Sequence, residues 1–380
     1  MVPDGNVKDS DGGKHGARFE FVDGLRGLAA LGVVLPHVLG LFAHPQQRGL
    51  SSFFLYLAGF GRAGVEVFFV VSGFAIAYSM RNTSSEKLSL GRFILRRAVR
   101  LDPPYWAAML WVAFVEVFRA SVTHNPIVLP SLGKVIAHLL YLQDILGLGQ
   151  FNPVFWTLCL EFQLYLLFAI MMRVATAFAH ERQAKSRIWR ESDEYGWLMV
   201  IAFLASLVVS HTVWPLLPGW FVPYLYMFLS GSLAAWLALE RISERLFRLC
   251  LLIMGLAFLL RPEQPRAAAL ITALMLYAAI RRAALHRWLA VRPAQWLGRI
   301  SYPIYLIHVP LVTIFLGLGT RLGADSPWVS LGLLAGLYAA TLALASLLHA
   351  VVEVPSIRLS QQLKRRRPLV DASVYSAPPG

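Results

Sequence analysis

A histidine, several arginines and a glutamate stand inside or at the edges of long apolar runs, where ionisable side chains are costly and mark cavities or pathways. Arg26 and His37 share the stretch FEFVDGLRGLAALGVVLPHV, eleven positions apart. On a continuous helix that spacing returns to within about 20° of one face, with a rise of about 16 Å. Imidazole takes and gives a proton near neutral pH. The plainer alternative is a hydrogen-bonded interior histidine, with Arg26 reaching the headgroups, and this helix alone does not choose between them. In RRAVRLDPPYW, Arg97 and Arg100 sit three apart on one helix face, and guanidinium forks bind phosphate; Pro103 and Pro104 then open the next span. A simple inner-surface anchor is the alternative there.

Two further stretches carry polar groups. In FNPVFWTLCLEFQLYLLF, Glu161 and Gln163 interrupt an apolar span, and a carboxylate there demands a partner, an interhelical ion pair being the plain one. In LGRISYPIYLIHVP, Ser301, Tyr305 and His308 fall at steps of four and three on one helix face, as pore-lining groups or as an interior hydrogen-bonding stripe. Glu66 lies in VEVFFVVSGFAIAY, where Ser72 and Gly73 suit close helix packing.

The elements that position these residues are legible from hydropathy. The chain has 380 residues, 57% hydrophobic and 15% charged, too apolar for a soluble domain. The fold class expected is all-α, a polytopic transmembrane helix bundle of about ten spans: 25–43, 64–80, 104–120, 155–178, 197–213, 220–239, 248–261, 267–281, 301–319 and 327–350. The seventh and eighth are short and read equally as a hairpin that stops before crossing. The first run is too long for a cleavable leader and reads as a retained anchor. With both termini placed in the cytoplasm, 28 of the 35 Lys and Arg fall inside and seven outside, as the positive-inside rule requires. Segment 121–153 is too polar at its edges to span, and its middle, 134–146, suits the outer interface. The expected division is a disordered cytoplasmic tail, 1–18, a transmembrane domain, 19–355, and a basic cytoplasmic tail, 356–380. The net charge of +14 is spread beside apolar segments, which argues against nucleic acid as a partner. Cys159 and Cys250 make neither a disulfide framework nor a metal site.

In order along the chain, DGLRGLAALGVVLPH, FFVVSGF, RRAVRLDPPYW, FWTLCLEFQLYLLF and LGRISYPIYLIH resemble the motifs of the acyltransferase-3 family of membrane O-acyltransferases. The resemblance covers roughly 19–355; Asp102 stands where tyrosine is common, and Phe162 where a second glutamate often follows. It implies a multi-pass bacterial plasma-membrane enzyme. That enzyme moves an acyl group, most often acetyl, from cytoplasmic acyl-CoA to a hydroxyl of a glycan or glycolipid such as exopolysaccharide or lipopolysaccharide. Membrane lipid and polysaccharide-assembly proteins would be its further partners. It assigns His37 as general base or acyl carrier, with Glu161 and Arg26 supporting it. Arg97 and Arg100 would hold the CoA phosphates, and Tyr305, His308 and Ser301 would line the pore. The competing class is a transporter or flippase of a glycan or lipid-linked intermediate; a third is a silent relative serving as a scaffold. Internal repeats and paired broken helices, the marks of many transporters, are not visible in the sequence.

Overall fold

The computed structural model describes residues 19–42, 48–81, 90–127, 129–183, 191–212, 219–323 and 326–365. The proposed 1–18 tail, the end of the C-terminal tail, and Lys87, Lys185, Arg187 and Arg190 of the basic inner loops lie outside them. The described residues are helical, with no strand among them.

In chain order the helices are α1 (Glu20–Gly32), a 3₁₀ segment (Leu35–Phe42), α2 (Arg48–Arg62), α3 (Gly64–Ser79), α4 (Leu90–Thr123), α5 (Leu132–Leu139) and α6 (Trp156–Gln183). Then follow α7 (Glu191–Thr212), α8 (Leu225–Ala238), α9 (Glu244–Leu260), α10 (Gln264–Arg281), α11 (Arg292–Leu322), α12 (Pro327–Leu348), a π turn (His349–Glu353) and α13 (Val354–Arg365). Among the described residues, six helical stretches are long and apolar enough to cross a membrane: Glu20–Phe42, Ser51–Ser79, Leu90–Thr123, Trp156–Val174, Arg292–Leu322 and Pro327–Leu363. Leu198–His211 and Val222–Ala238 are shorter apolar helices. The expected seventh and eighth spans fall in α9 and α10, of 17 and 18 residues. At 1.5 Å per residue, each is somewhat short of a hydrocarbon core of ~30 Å.

The structure differs from the sequence reading at four places. The first span is not one α-helix, because Pro36, lacking an N–H, lies where the ladder would continue and the chain tightens into 3₁₀ geometry. Over that path His37 is turned about 80° from the Arg26 face and is about 18 Å along the axis, so the shared stripe dissolves. Pro103 and Pro104 do not open a helix: α4 runs unbroken through both, and the ladder bonds to the Val99 and Arg100 carbonyls are forfeited. An extra helix, α2, precedes the second span, with Phe53, Leu55, Tyr56 and Phe60 exposed along it. The helical body also runs past residue 355 into α13.

Helix–helix packing relies on absent side chains, as expected where lipid is as apolar as leucine and close van der Waals contact must hold helices together. α3 crosses α8 at Gly73 and Gly231. A Cβ on Gly73 would collide with the Phe228 carbonyl oxygen, and one on Gly231 with that of Val70. Ser232 Oγ donates to the Gly73 carbonyl at 3.1 Å across this contact. Gly27 of α1 meets Gly298 of α11 in the same way, a Cβ on Gly27 falling 2.7 Å from the Gly298 nitrogen. The reading of Gly73 as a packing residue holds. Gly231→Val must force α3 and α8 apart, at a cost on the order of 3 kcal/mol. Thermal unfolding of the purified protein checks this; an unchanged midpoint would contradict it.

The 121–153 segment carries α5, fixed by a buried histidine. His138 Nδ1–H donates to the Lys134 carbonyl at 2.8 Å, and its Nε2 accepts from the Phe151 N–H at 3.1 Å. Burial holds this imidazole below its usual pKa, which favours the neutral form that both bonds require.

Candidate active site

Two clefts abut in the middle of the bundle. The larger, about 450 Å³, is walled by Arg26 of α1, Phe68, Phe69 and Ser72 of α3, Thr157, Leu158 and Glu161 of α6, and Tyr302 and Tyr305 of α11. The smaller, about 290 Å³, is walled by Arg97, Leu101 and Asp102 of α4, Tyr141, Leu158, Glu161, Phe162 and Tyr165, and Tyr302. Leu158, Glu161 and Tyr302 belong to both, so one thin partition separates them.

Glu161 projects from this partition. Its Oε1 accepts from Ser72 Oγ at 2.9 Å and from the Tyr165 hydroxyl. Tyr165 lies one turn on along α6, and the Arg97 guanidinium stacks over its ring at 4.8 Å. The Tyr302 hydroxyl donates to the Leu101 carbonyl at 3.0 Å, tying α11 to α4. Tyr305 OH and Thr157 Oγ1 are 2.7 Å apart, and both lie within reach of the Val154 carbonyl, at 3.0 and 3.1 Å. Gln163 has a structural part: it donates to the Gly219 carbonyl at 2.8 Å and accepts from the Phe221 N–H at 3.2 Å.

The arginines are rich in unused donors. The Nε atoms of Arg26, Arg96 and Arg100 are buried with no hydrogen-bond partner. Buried charged donors are normally paired, and leaving one unmade costs on the order of 1–3 kcal/mol. Each of these Nε–H groups is still free to donate one hydrogen bond.

Beyond the larger cleft stands a histidine pair, with the rings of His37 and His308 5.2 Å apart. His308 is fully buried, and its Nδ1–H is shared between the Ile304 and Tyr305 carbonyls at 3.1 and 2.9 Å. That fixes the proton on Nδ1 and leaves the Nε2 lone pair buried without a partner. The Tyr305 ring, 6.0 Å from that of His308, links the pair to the cleft wall.

A family described as an acyltransferase domain matches residues 19–350. The chain belongs to the acyltransferase-3 family. Among curated relatives, it is 28% identical to acyltransferase MdmB of Streptomyces mycarofaciens, over 93% of this chain and 95% of that one. It is 25% identical to peptidoglycan O-acetyltransferase OatA of Listeria monocytogenes serovar 1/2a, over 77% of this chain, and spans about half of that protein, 49%. No solved structure matches it. The protein is therefore an acyltransferase of the membrane, and the transporter class is set aside.

The structure brings Arg26, Arg97, Glu161 and Tyr305 to the clefts and sets His37 against His308. Four expected placements are not supported by these contacts. Arg100 and His308 line neither cleft. Ser301 lines neither cleft; it bonds back to the Gly298 carbonyl at 2.9 Å. The carboxylate of Glu161, expected beside His37, is held by Ser72 and Tyr165. Sequence reasoning missed Tyr302, Thr157 and Tyr165. Tyr165 had a signal, standing four residues after Glu161 on the same helix face.

Proposed function

We propose that the protein is a membrane O-acyltransferase that moves an acetyl group from cytoplasmic acyl-CoA to a hydroxyl of a glycan or glycolipid on the far side of a bacterial plasma membrane. The chain crosses about ten times with both termini inside, and meets polysaccharide-assembly partners at the outer face. The observation that carries this reading is the sequence of groups along the bundle: Arg97 at the smaller cleft, a partition at Glu161 and Tyr302, Arg26 at the larger cleft, then a histidine pair. The name of the relative OatA, a peptidoglycan O-acetyltransferase, supports an acetyl group and a carbohydrate acceptor.

In this reading Arg97 and Arg100 hold the CoA phosphates, and the thioester reaches past the partition to Arg26. His37 takes the proton of the acceptor hydroxyl, whose oxygen attacks the thioester carbonyl. Arg26 offsets the charge of the resulting oxyanion. The C–S bond then breaks, an ester C–O bond remains, and the proton on His37 passes to the departing CoA thiolate. His308 lends its Nε2 lone pair to the imidazolium formed on His37. A covalent acyl-His37 form delivers the same products in two steps.

Purified protein in lipid vesicles, given acetyl-labelled acetyl-CoA and soluble glycan fragments, is expected to place label on the glycan in hydroxylamine-labile ester linkage without an ion gradient. Label recovered only as acetyl-CoA and free acetate, across glycan classes, would overturn the reading.

A further inference from the structure

The last long apolar helix does not end as an α-helix. After α12 the chain widens into a single π turn, His349–Glu353, before α13 resumes. Such turns shift the register of the side chains that follow and recur at functional sites. Here the turn carries Glu353, which is only 5% exposed. Its carboxylate accepts from His349 Nδ1–H at 2.6 Å. The turn packs against α4, and two turns further on Ser360 Oγ donates to the Arg96 carbonyl at 2.8 Å. The carboxylate is thereby anchored beside the length of α4 that bears Arg96, Arg97 and Arg100. Its charge is opposite in sign to those of the arginines on that helix.

A cluster of guanidinium groups in a poorly solvated interior is self-repelling until an anion enters. A carboxylate fixed nearby relieves that repulsion in the empty site and competes with the anion once it arrives. We propose that Glu353, held by His349 on the π turn, is the resident counter-charge of the arginine site and limits how tightly that site holds a phosphate-bearing ligand. The inference rests on the assignment of Arg97 and Arg100 to acyl-CoA. It adds a device that keeps spent CoA from lodging there. Glu353 touches no substrate in this scheme; it acts through Arg100 as a positioning residue.

The test is calorimetric titration of the full-length protein in detergent with CoA itself. Glu353→Gln is expected to bind CoA about fivefold more tightly. His349→Ala frees the carboxylate from its partner and is expected to bind about threefold more weakly. A purely structural role would not tighten binding. In an Arg100→Ala background the Glu353→Gln change is expected to have no effect on affinity. Unchanged or weaker CoA binding by folded Glu353→Gln would overturn the proposal. If that variant yields no folded protein, His349→Ala decides, and unchanged or tighter binding overturns it. Arg97→Ala with Arg100→Ala, titrated alongside, separates the two layers. If that pair loses CoA while Glu353→Gln matches the parent, only the counter-charge fails. If the pair binds CoA as the parent does, the acyl-CoA site itself fails.

Discussion

A His37→Ala protein is expected to insert, purify and bind acyl-CoA as the parent does, and to transfer acyl groups about a thousandfold more slowly. The magnitude is that of removing a general base from the bond-forming step. The expectation that folding survives comes from the site: His37 is half-buried on a 3₁₀ segment, and its neighbour His308 is held by its own helix carbonyls. The informative pair of numbers is kcat and the KM for acyl-CoA, with kcat falling and KM unmoved. Parent-like kcat in a correctly inserted protein would remove His37 from the chemistry. Rapid quenching of turnover with acetyl-labelled acetyl-CoA distinguishes the two forms of the mechanism, since only the covalent form leaves label on the parent protein that His37→Ala lacks.

The second large effect belongs to the arginines. Arg97→Ala with Arg100→Ala is expected to weaken acyl-CoA binding on the order of a hundredfold, as two charge-assisted contacts to phosphate are lost. The accompanying stability change tells a binding role from an anchoring one. Arg100 is half-buried between the like charges of Arg97 and Arg26 and the opposite charge of Glu353, and its Nε has no partner, so truncation breaks no hydrogen bond at Nε. The thermal midpoint of the unliganded double variant is expected to stay close to that of the parent, relieved repulsion offsetting the lost Arg97–Tyr165 stack, and stabilisation by added CoA to vanish. Equal CoA affinity in parent and variant would return both residues to topology.

What the sequence could and could not convey follows from which physical terms are local. Apolar run lengths and the distribution of Lys and Arg are additive along the chain, so the helical membrane bundle and the Arg97–Arg100 pair were legible. The coupling of Arg26 to His37 was not, because it presumed 100° per residue across Pro36, where the backbone narrows. The α4 prolines misled in the opposite direction: a proline signature for a helix start is a local preference, and α4 continues through it, tied to α11 beside the prolines by the Tyr302 hydroxyl on the Leu101 carbonyl. Glu161 was visible as an anomaly, but its partners were not. Ser72 lies 89 positions away and reaches Glu161 only once α3 and α6 are brought together. Glu353 escaped notice for a related reason: its inward placement depends on one π turn, and regular helical counting past α12 does not anticipate it.

The glycine crossings bear on how such a buried site could ever be loaded. α3 with α8, and α1 with α11, touch backbone to backbone at Gly73–Gly231 and Gly27–Gly298. Such pairs have no slack to slide or part without breaking many contacts at once. The pairs are themselves joined at backbone level, a Cβ on Gly64 of α3 falling 2.7 Å from the Ala29 carbonyl oxygen of α1, and side chains line the larger cleft: Arg26 and Tyr305 from one pair, Phe68 and Ser72 from the other. Side chains can change rotamer far faster than helices can separate. The helices are therefore a stiff frame, and access to the cleft falls to the rotation of the side chains that line it.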